Sequence, residues 1–329
     1  MLIAALVVGG IYFAARTFLP QLQLGGGNDS DVPAATTGGA TSEAGSGSGT
    51  AAAPVANATT FSRQAFSFTP ATPVNGKLKG VVELGATGFN SFIIRVDNQK
   101  NWKLEKAEYG ASLVYEKMTT DQDVKDGLKN YINDMVSYGV NPRDIHFVIS
   151  SGAKKVDITD KIIKTLASMK YMVNTVTPEQ EGQYALRSVL PAEFSGRAFV
   201  VDIGSGNTKI SWRDRGQVRA LETYGAKYSQ QGTSAETVAS DVKTKAAQVP
   251  SGNTATCFII GGVPYDIAKK VRNGKERYTV LPAPGELKPE GDKQIAGQNI
   301  YNSIAMATGC KQFVFDWDAN FTIGFLLSL

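Results

Sequence analysis

The residues best suited to chemistry lie between Ala198 and Trp212. An apolar run, Ala198 to Val201, delivers Asp202 into a turn bearing Gly204 and Gly206, and Thr208 to Trp212 leaves that turn as an alternating strand. A buried strand that ends in Asp-x-Gly-x-Gly and returns as a strand makes a hairpin able to grip phosphate. Its glycines admit positive φ and let backbone N–H groups approach an anion closely. Ser205, Asn207 and Thr208 add side-chain donors, and Asp202 suits a metal ion or a water at the loop mouth. A dinucleotide fingerprint would need a helix where this turn returns as a strand. The same pattern also serves as a plain β-hairpin turn.

A second turn of this kind changes the balance. Lys79 to Leu84 forms a short apolar strand reaching Glu83, the segment Gly85-Ala86-Thr87-Gly88 turns, and Phe92 to Val96 returns as a strand. Two acid-plus-glycine hairpins, one small domain apart, imply two related halves that each offer a phosphate loop to a shared cleft. In this the chain resembles the sugar kinase, heat-shock chaperone and actin superfamily.

The closer resemblance is to the exopolyphosphatase and guanosine pentaphosphate phosphohydrolase family. Its first loop, D-L-G-S-x-S, is met here by Glu83-Leu84-Gly85-Ala86-Thr87-Gly88. Its T-P-E-Q-E-G-x-Y-A segment is met by Thr177 to Ala185, and its V-V-D-x-G-G-G-S-T-E loop by Val200 to Lys209. Ile259-Ile260-Gly261-Gly262-Val263 stands for the glycine-pair segment, and Phe315-Asp316-Trp317-Asp318 for the closing motif. The order agrees, and the resemblance covers roughly Gly76 to Leu329. It implies an α/β fold of two ribonuclease-H-like (actin-like) lobes around a phosphate-binding cleft, with residues 76–190 in the first lobe and 191–329 in the second.

The resemblance also assigns roles. Glu181 corresponds to the glutamate that orients or deprotonates the attacking water, as phosphoanhydride hydrolysis requires. Glu83 and Asp202 complete the catalytic set and would hold Mg2+. Gly85, Ala86, Thr87, Gly88, Gly204, Ser205, Gly206, Asn207 and Thr208 would bind phosphate, with Lys154 or Lys155 adding positive charge. Gly261 and Gly262 would admit a nucleotide base or a phosphate. From the residues alone, Glu179 and Glu181 are also ordinary helix N-terminal carboxylates beside Pro178. The departures bear on chemistry. Glu83 replaces an aspartate, Lys209 reverses a charge at the rim of the second loop, Val263 replaces a threonine, and Asp318-Ala319-Asn320-Phe321 replaces a Gly-Leu-Arg-Glu set. Active sites tolerate little misplacement, although Lys209 could contact a phosphate directly.

Two functions follow. One is a membrane-tethered phosphohydrolase acting on polyphosphate or a phosphorylated guanosine nucleotide. The other is a catalytically silent phosphate- or nucleotide-binding or scaffolding module, as a homodimer or among membrane-complex subunits.

The elements that must position these residues follow from periodicity. Trp102 to Tyr115 reads as strand with a break at Gly110. Thr120 to Tyr138 is an amphipathic helix, with Val124, Leu128, Ile132, Met135 and Val136 at helical spacing and Gly139 as its stop. Asp144 to Ser150, Met172 to Val176, Thr256 to Ile260 and Gln312 to Phe315 read as strands. Asp160 to Met169, Ala235 to Ala247, Pro264 to Val271 and Gln298 to Ala307 read as helices. Lys275 to Lys293 reads as a polar surface loop. Phe321 to Leu329 is an apolar stretch too short to span a bilayer, and so packs on the domain. His146, the sole histidine, sits in an apolar strand in a structural role.

Ahead of these, Leu2 to Leu19 carries only Arg16 as a charge and suits a transmembrane anchor (residues 1–20) better than a cleaved signal peptide. Arg16 on its C-terminal flank places the folded domain on the cytoplasmic side. Residues 21–75 form a flexible linker, rich in Gly, Ser, Ala and Thr over Gln21 to Thr60. Cys257 and Cys310 have neither metal-knuckle nor redox spacing. The net charge of +4 comes without Arg/Lys–aromatic clustering, which argues against nucleic acid as the main partner.

Overall fold

Two strand hairpins, each followed by a third antiparallel strand, seed the two sheets. The computed structural model describes residues 61, 64–85, 88–109, 120–153 and 158–329. In the first half, β1 (Lys77–Gly85) pairs antiparallel with β2 (Gly88–Val96), which pairs with β3 (Trp102–Tyr109). Strand β4 (Ile145–Ile149) then joins β1 in parallel and β5 (Val173–Thr175) joins β4, giving the order β3-β2-β1-β4-β5.

The second half repeats the plan. Strands β6 (Ala198–Ile203), β7 (Asn207–Asp214) and β8 (Gln217–Tyr224) form the antiparallel ribbon. Strand β9 (Thr256–Gly261) lies parallel to β6, and β11 (Phe313–Asp316) parallel to β9. A short β10 (Tyr278–Val280) adds to the edge, giving β10-β11-β9-β6-β7-β8. The duplication expected from the two hairpins is thus present strand by strand.

Helices fill both faces of the sheets. Helix α1 (Asp121–Tyr138) starts at a capping box between Thr120 and Asp123 and stops at Gly139, whose φ of 106° a side chain would resist. Its buried stripe and that of α2 (Ile158–Ser168) cover the outer face of the first sheet, where Leu128 and Ile162 meet Leu84 and Phe147. Helices α4 (Ala235–Ala246), α5 (Gly262–Val271) and α6 (Gly291–Thr308) cover the outer face of the second.

Between the sheets lie α3 (Pro178–Val189) and α7 (Phe321–Ser328). Val81 and Val148 of the first sheet and Val200 and Phe258 of the second share one apolar cluster with Ala185 of α3 and Phe325 of α7. Every residue from Phe321 to Leu327 is buried, so the apolar C-terminal stretch is packed inside, as its length implied. His146 stacks edge-on against Phe325 (centroids 5.8 Å apart), which is a structural position.

Three expectations need correction. The polar segment 275–293 is not all surface loop: Tyr278 and Thr279 are buried in β10, and Trp317 Nε1 donates to Thr279 Oγ1 at 2.8 Å. Helix α6 begins at Gly291 rather than Gln298. The folded part also extends upstream of residue 76, because Phe66 packs edge-on against Phe258 and Tyr278 (centroids 5.4 and 5.3 Å). Among the described residues no helix is long and apolar enough to cross a membrane. The anchor read at Leu2 to Leu19, and the linker as far as Thr60, lie outside those residues.

Candidate active-site cleft

The hairpins point their turns at one another across a cleft of about 370 Å³. Glu83, Gly85 and Gly88 line it from the first, and Asp202, Gly204, Ser205, Gly206, Asn207 and Lys209 from the second. Gly261 and Gly262 line it at the N-terminus of α5, where no side chain caps the helix and its N–H groups favour an anion. Lys293 joins them: a Cβ at Gly262 would stand 3.2 Å from the Lys293 ammonium nitrogen. Tyr109, Tyr265, Phe315 and Trp317 form an aromatic wall in the same cleft, with Tyr265 edge-on to Trp317 at 5.4 Å between centroids. Sequence reasoning placed Phe315 and Trp317 in the closing motif without reading them as a wall, and it missed Lys293, Tyr109 and Tyr265, which belong to no recognisable spacing.

Other sequence-derived positions fall differently. Thr208 does not line the cleft. It alternates with Lys209 along β7, its side chain is fully buried, and its hydroxyl has no hydrogen-bond partner. Ala86, Thr87 and Lys154 lie outside the described residues. Glu181 is fully buried and does not line the cleft either.

The burial of Glu181 has a local cause. Thr177 caps α3 through a capping box with Gln180, Pro178 occupies the first turn, and Glu181 follows on the helix face turned to β7. Gly182 lets that face lie close, since a Cβ there would meet the Ala220 Cβ at 2.7 Å. Both carboxylate oxygens of Glu181 are engaged. Ser151 N–H donates to Oε1 at 2.5 Å, Ser151 Oγ–H donates to Oε2 at 3.1 Å, and the Lys209 ammonium forms an ion pair with Oε2. Asn207 braces Ser151, its Nδ2 donating to Ser151 Oγ at 2.9 Å and to Glu222 Oε1 at 2.6 Å.

Lys209 is therefore not a rim residue. It is 5% exposed, sits directly across the strand pair from Asp202, and faces Glu181. Burial opposes its charge, but Asp202 and Glu181 outweigh that and hold the ammonium protonated above the usual lysine range. Burial raises the Asp202 carboxyl above its ordinary range, with the Lys209 charge opposing. The first hairpin repeats the device with a neutral donor. Glu83 lies across from Asn90 at the same seven-residue spacing as 202 to 209, and its Oε2 accepts from Asn90 Nδ2 and from Asn320 Nδ2, both at 3.1 Å.

These residues do not suit the Mg2+ that the resemblance implies. Mg2+ demands near-octahedral oxygen ligands, yet one oxygen of Glu83 already receives two amide donors and Asp202 faces an ammonium. At an effective dielectric of about 20, unit charges about 4 Å apart interact by about 4 kcal/mol, so a divalent ion at that distance from Lys209 would meet about twice that repulsion. Among the described residues, no group of three or more His, Cys, Asp or Glu side chains is placed to hold a metal ion.

Burial drives the Glu83 carboxyl from 4.5 up to about 7, the amides of Asn90 and Asn320 opposing and the Asp202 charge adding. Across that window the folded chain keeps a proton that the unfolded chain has released, so stability falls as pH rises from about 4.5 through 7. The difference corresponds to about 3 kcal/mol. Denaturation at pH 5 and pH 8 should show that loss in the wild type, and Glu83→Gln should remove most of the difference.

No family model matches the chain, and no curated protein matches it. Among solved structures, an exopolyphosphatase from Cytophaga hutchinsonii is similar with a TM-score of 0.59 at 12% identity, covering 77% of this chain and 97% of that one. The Aquifex aeolicus member of the Ppx/GppA family gives 0.55 at 16% identity, over 77% and 97%. A further Aquifex aeolicus PPX-GPPA enzyme structure gives 0.56 at 14% identity, over 77% and 99%. At such identities the likeness is one of fold: the two-lobed mixed α/β architecture of exopolyphosphatases.

Proposed function

We propose that this chain is a binding module on the exopolyphosphatase fold, taking a phosphorylated nucleotide into its cleft without hydrolysing it. One observation carries the reading. Glu181, the candidate base, is wholly buried outside the cleft lining, and Lys209 and Ser151 engage both its oxygens. A general base must reach the water it activates, and this one faces the protein. The glycine turns, the open N-terminus of α5 and the ammonium groups of Lys209 and Lys293 suit phosphate oxygens. The wall of Tyr109, Tyr265 and Trp317 suits a planar base, which favours a nucleotide over a bare polyphosphate chain. The stretch Leu2 to Leu19 would hold this module at a membrane.

The fold likeness favours a second reading, a working phosphohydrolase in which Glu181 exchanges Lys209 for water. Orthophosphate release by the full chain separates the two, with long-chain polyphosphate and guanosine pentaphosphate as substrates, with and without Mg2+. Binding without turnover predicts no release above buffer, and a thermal shift larger with the nucleotide than with pyrophosphate; ligand at a hundredfold its Kd stabilises by about 2.7 kcal/mol. Release that vanishes in Glu181→Gln would establish the hydrolase instead.

A further inference from the structure

We infer that Lys209 is the resident cation of the cleft and stands in for the divalent metal implied by the fold, so that anionic ligand is taken up without metal. The part concerning the ligand rests on the phosphate-site reading above; the part concerning the metal does not.

Three placements carry it. Lys209 lines the cleft, yet its side chain is only 6% exposed, so its charge is fixed within the site rather than shared with solvent. It stands across the strands from Asp202 and is ion-paired to Glu181, so two of the four buried carboxylates are drawn to it. Of the other two, Glu83 is held by the amides of Asn90 and Asn320, and Asp316 by the Arg277 guanidinium. An ammonium carries three donors, and the Glu181 contact uses one, which leaves capacity toward a ligand oxygen. A compact point charge of this kind is a well-suited phosphate partner.

The metal question is put to the full chain with Mn2+ and electron paramagnetic resonance. The wild type is expected to leave the free-ion signal unchanged at equimolar protein. Lys209→Gln should take up one Mn2+ at least tenfold more tightly, and adding Asp202→Asn to that variant should abolish the uptake. Wild-type uptake that Asp202→Asn removes would overturn the inference, and so would a folded Lys209→Gln that binds no Mn2+. If Lys209→Gln does not fold, wild type and Asp202→Asn decide alone: no uptake, or equal weak uptake, by both supports the inference, and uptake specific to wild type refutes it. Pyrophosphate titration in EDTA and in Mg2+ then reads the ligand part. Affinities within twofold support metal-free binding, and a loss above tenfold in EDTA overturns it. No pyrophosphate binding in either buffer would overturn both that part and the phosphate-site reading, while the Mn2+ result would still decide the role of Lys209.

Discussion

Lys209→Met should lower the unfolding free energy by about 3–5 kcal/mol, the usual cost of removing one partner of a buried ion pair. The side chains of Lys209 and Glu181 are 6% and 0% exposed, so neither falls under the discount that solvent imposes on surface pairs. Removal leaves Glu181 and Asp202 inside the protein with no cation between them, and desolvated charge without a partner is the most costly thing a core can hold. For a chain of this size each kcal/mol moves Tm by about 2–4 °C, so the shift should be on the order of 10 °C. Adding Glu181→Gln should return at least half of the loss, because the amide needs no counter-charge and keeps an oxygen for the Ser151 donors. Chemical denaturation of the two variants measures both. A loss under about 1 kcal/mol would show that water reaches the pair.

Gly324→Ala should cost about 3 kcal/mol although alanine is the better helix former. Propensity alone would favour alanine by up to about 1 kcal/mol. Against it, the new Cβ would stand 1.8 Å from the Tyr184 carbonyl oxygen and 2.5 Å from its carbon, which are backbone atoms of α3 and cannot swing aside. The helices must separate, and overpacking of this kind costs about 1–3 kcal/mol or more. The movement reaches the cleft, because Asn320 caps α7 with its Oδ1 while its Nδ2 holds Glu83. Gly196→Ala is the control: a Cβ there meets nothing within 4 Å, and its stability should be unchanged within about 0.5 kcal/mol. Equal effects at the two sites would refute the packing argument.

Much of the scaffold was legible because each hairpin states its own geometry. An apolar run, an acid, a glycine turn and an alternating return fix β1–β2 and β6–β7 locally. Strand β8 was not read, because Gln217-Val-Arg-Ala-Leu-Glu-Thr-Tyr mixes charge into both faces of an outer strand. Strand β10 is three residues long and hides among prolines and glycines. The state of Glu181 lay beyond local reading, since its seal joins Ser151, Glu181 and Lys209 from three separate elements. One part of it was nevertheless present in the sequence. Asp202 and Lys209 stand as far apart as Glu83 and Asn90, which in a hairpin of that register means directly opposite. Taken as a register signal, the lysine would have been placed against the aspartate rather than at the rim. Arg277, bidentate to buried Asp316 at 3.0 Å, had no such signal: it directly precedes the three-residue β10 and meets an acid 39 positions away.

The seat of α7 between the sheets bears on how the protein comes off the ribosome. Glu83 and Asn320 are 237 positions apart, so the inner face of β1 and β2 is synthesised long before the helix that covers it. Chain emerges at about 5–20 residues per second, and N-terminal units ordinarily fold first. Here the first half cannot finish alone: its apolar face stays open, exposed to misassociation, until α7 has cleared the exit tunnel. Closure of that face is thereby set late in synthesis, and nascent chains stalled before Phe321 should leave the inner face of β1 and β2 more open to protease than the full chain does.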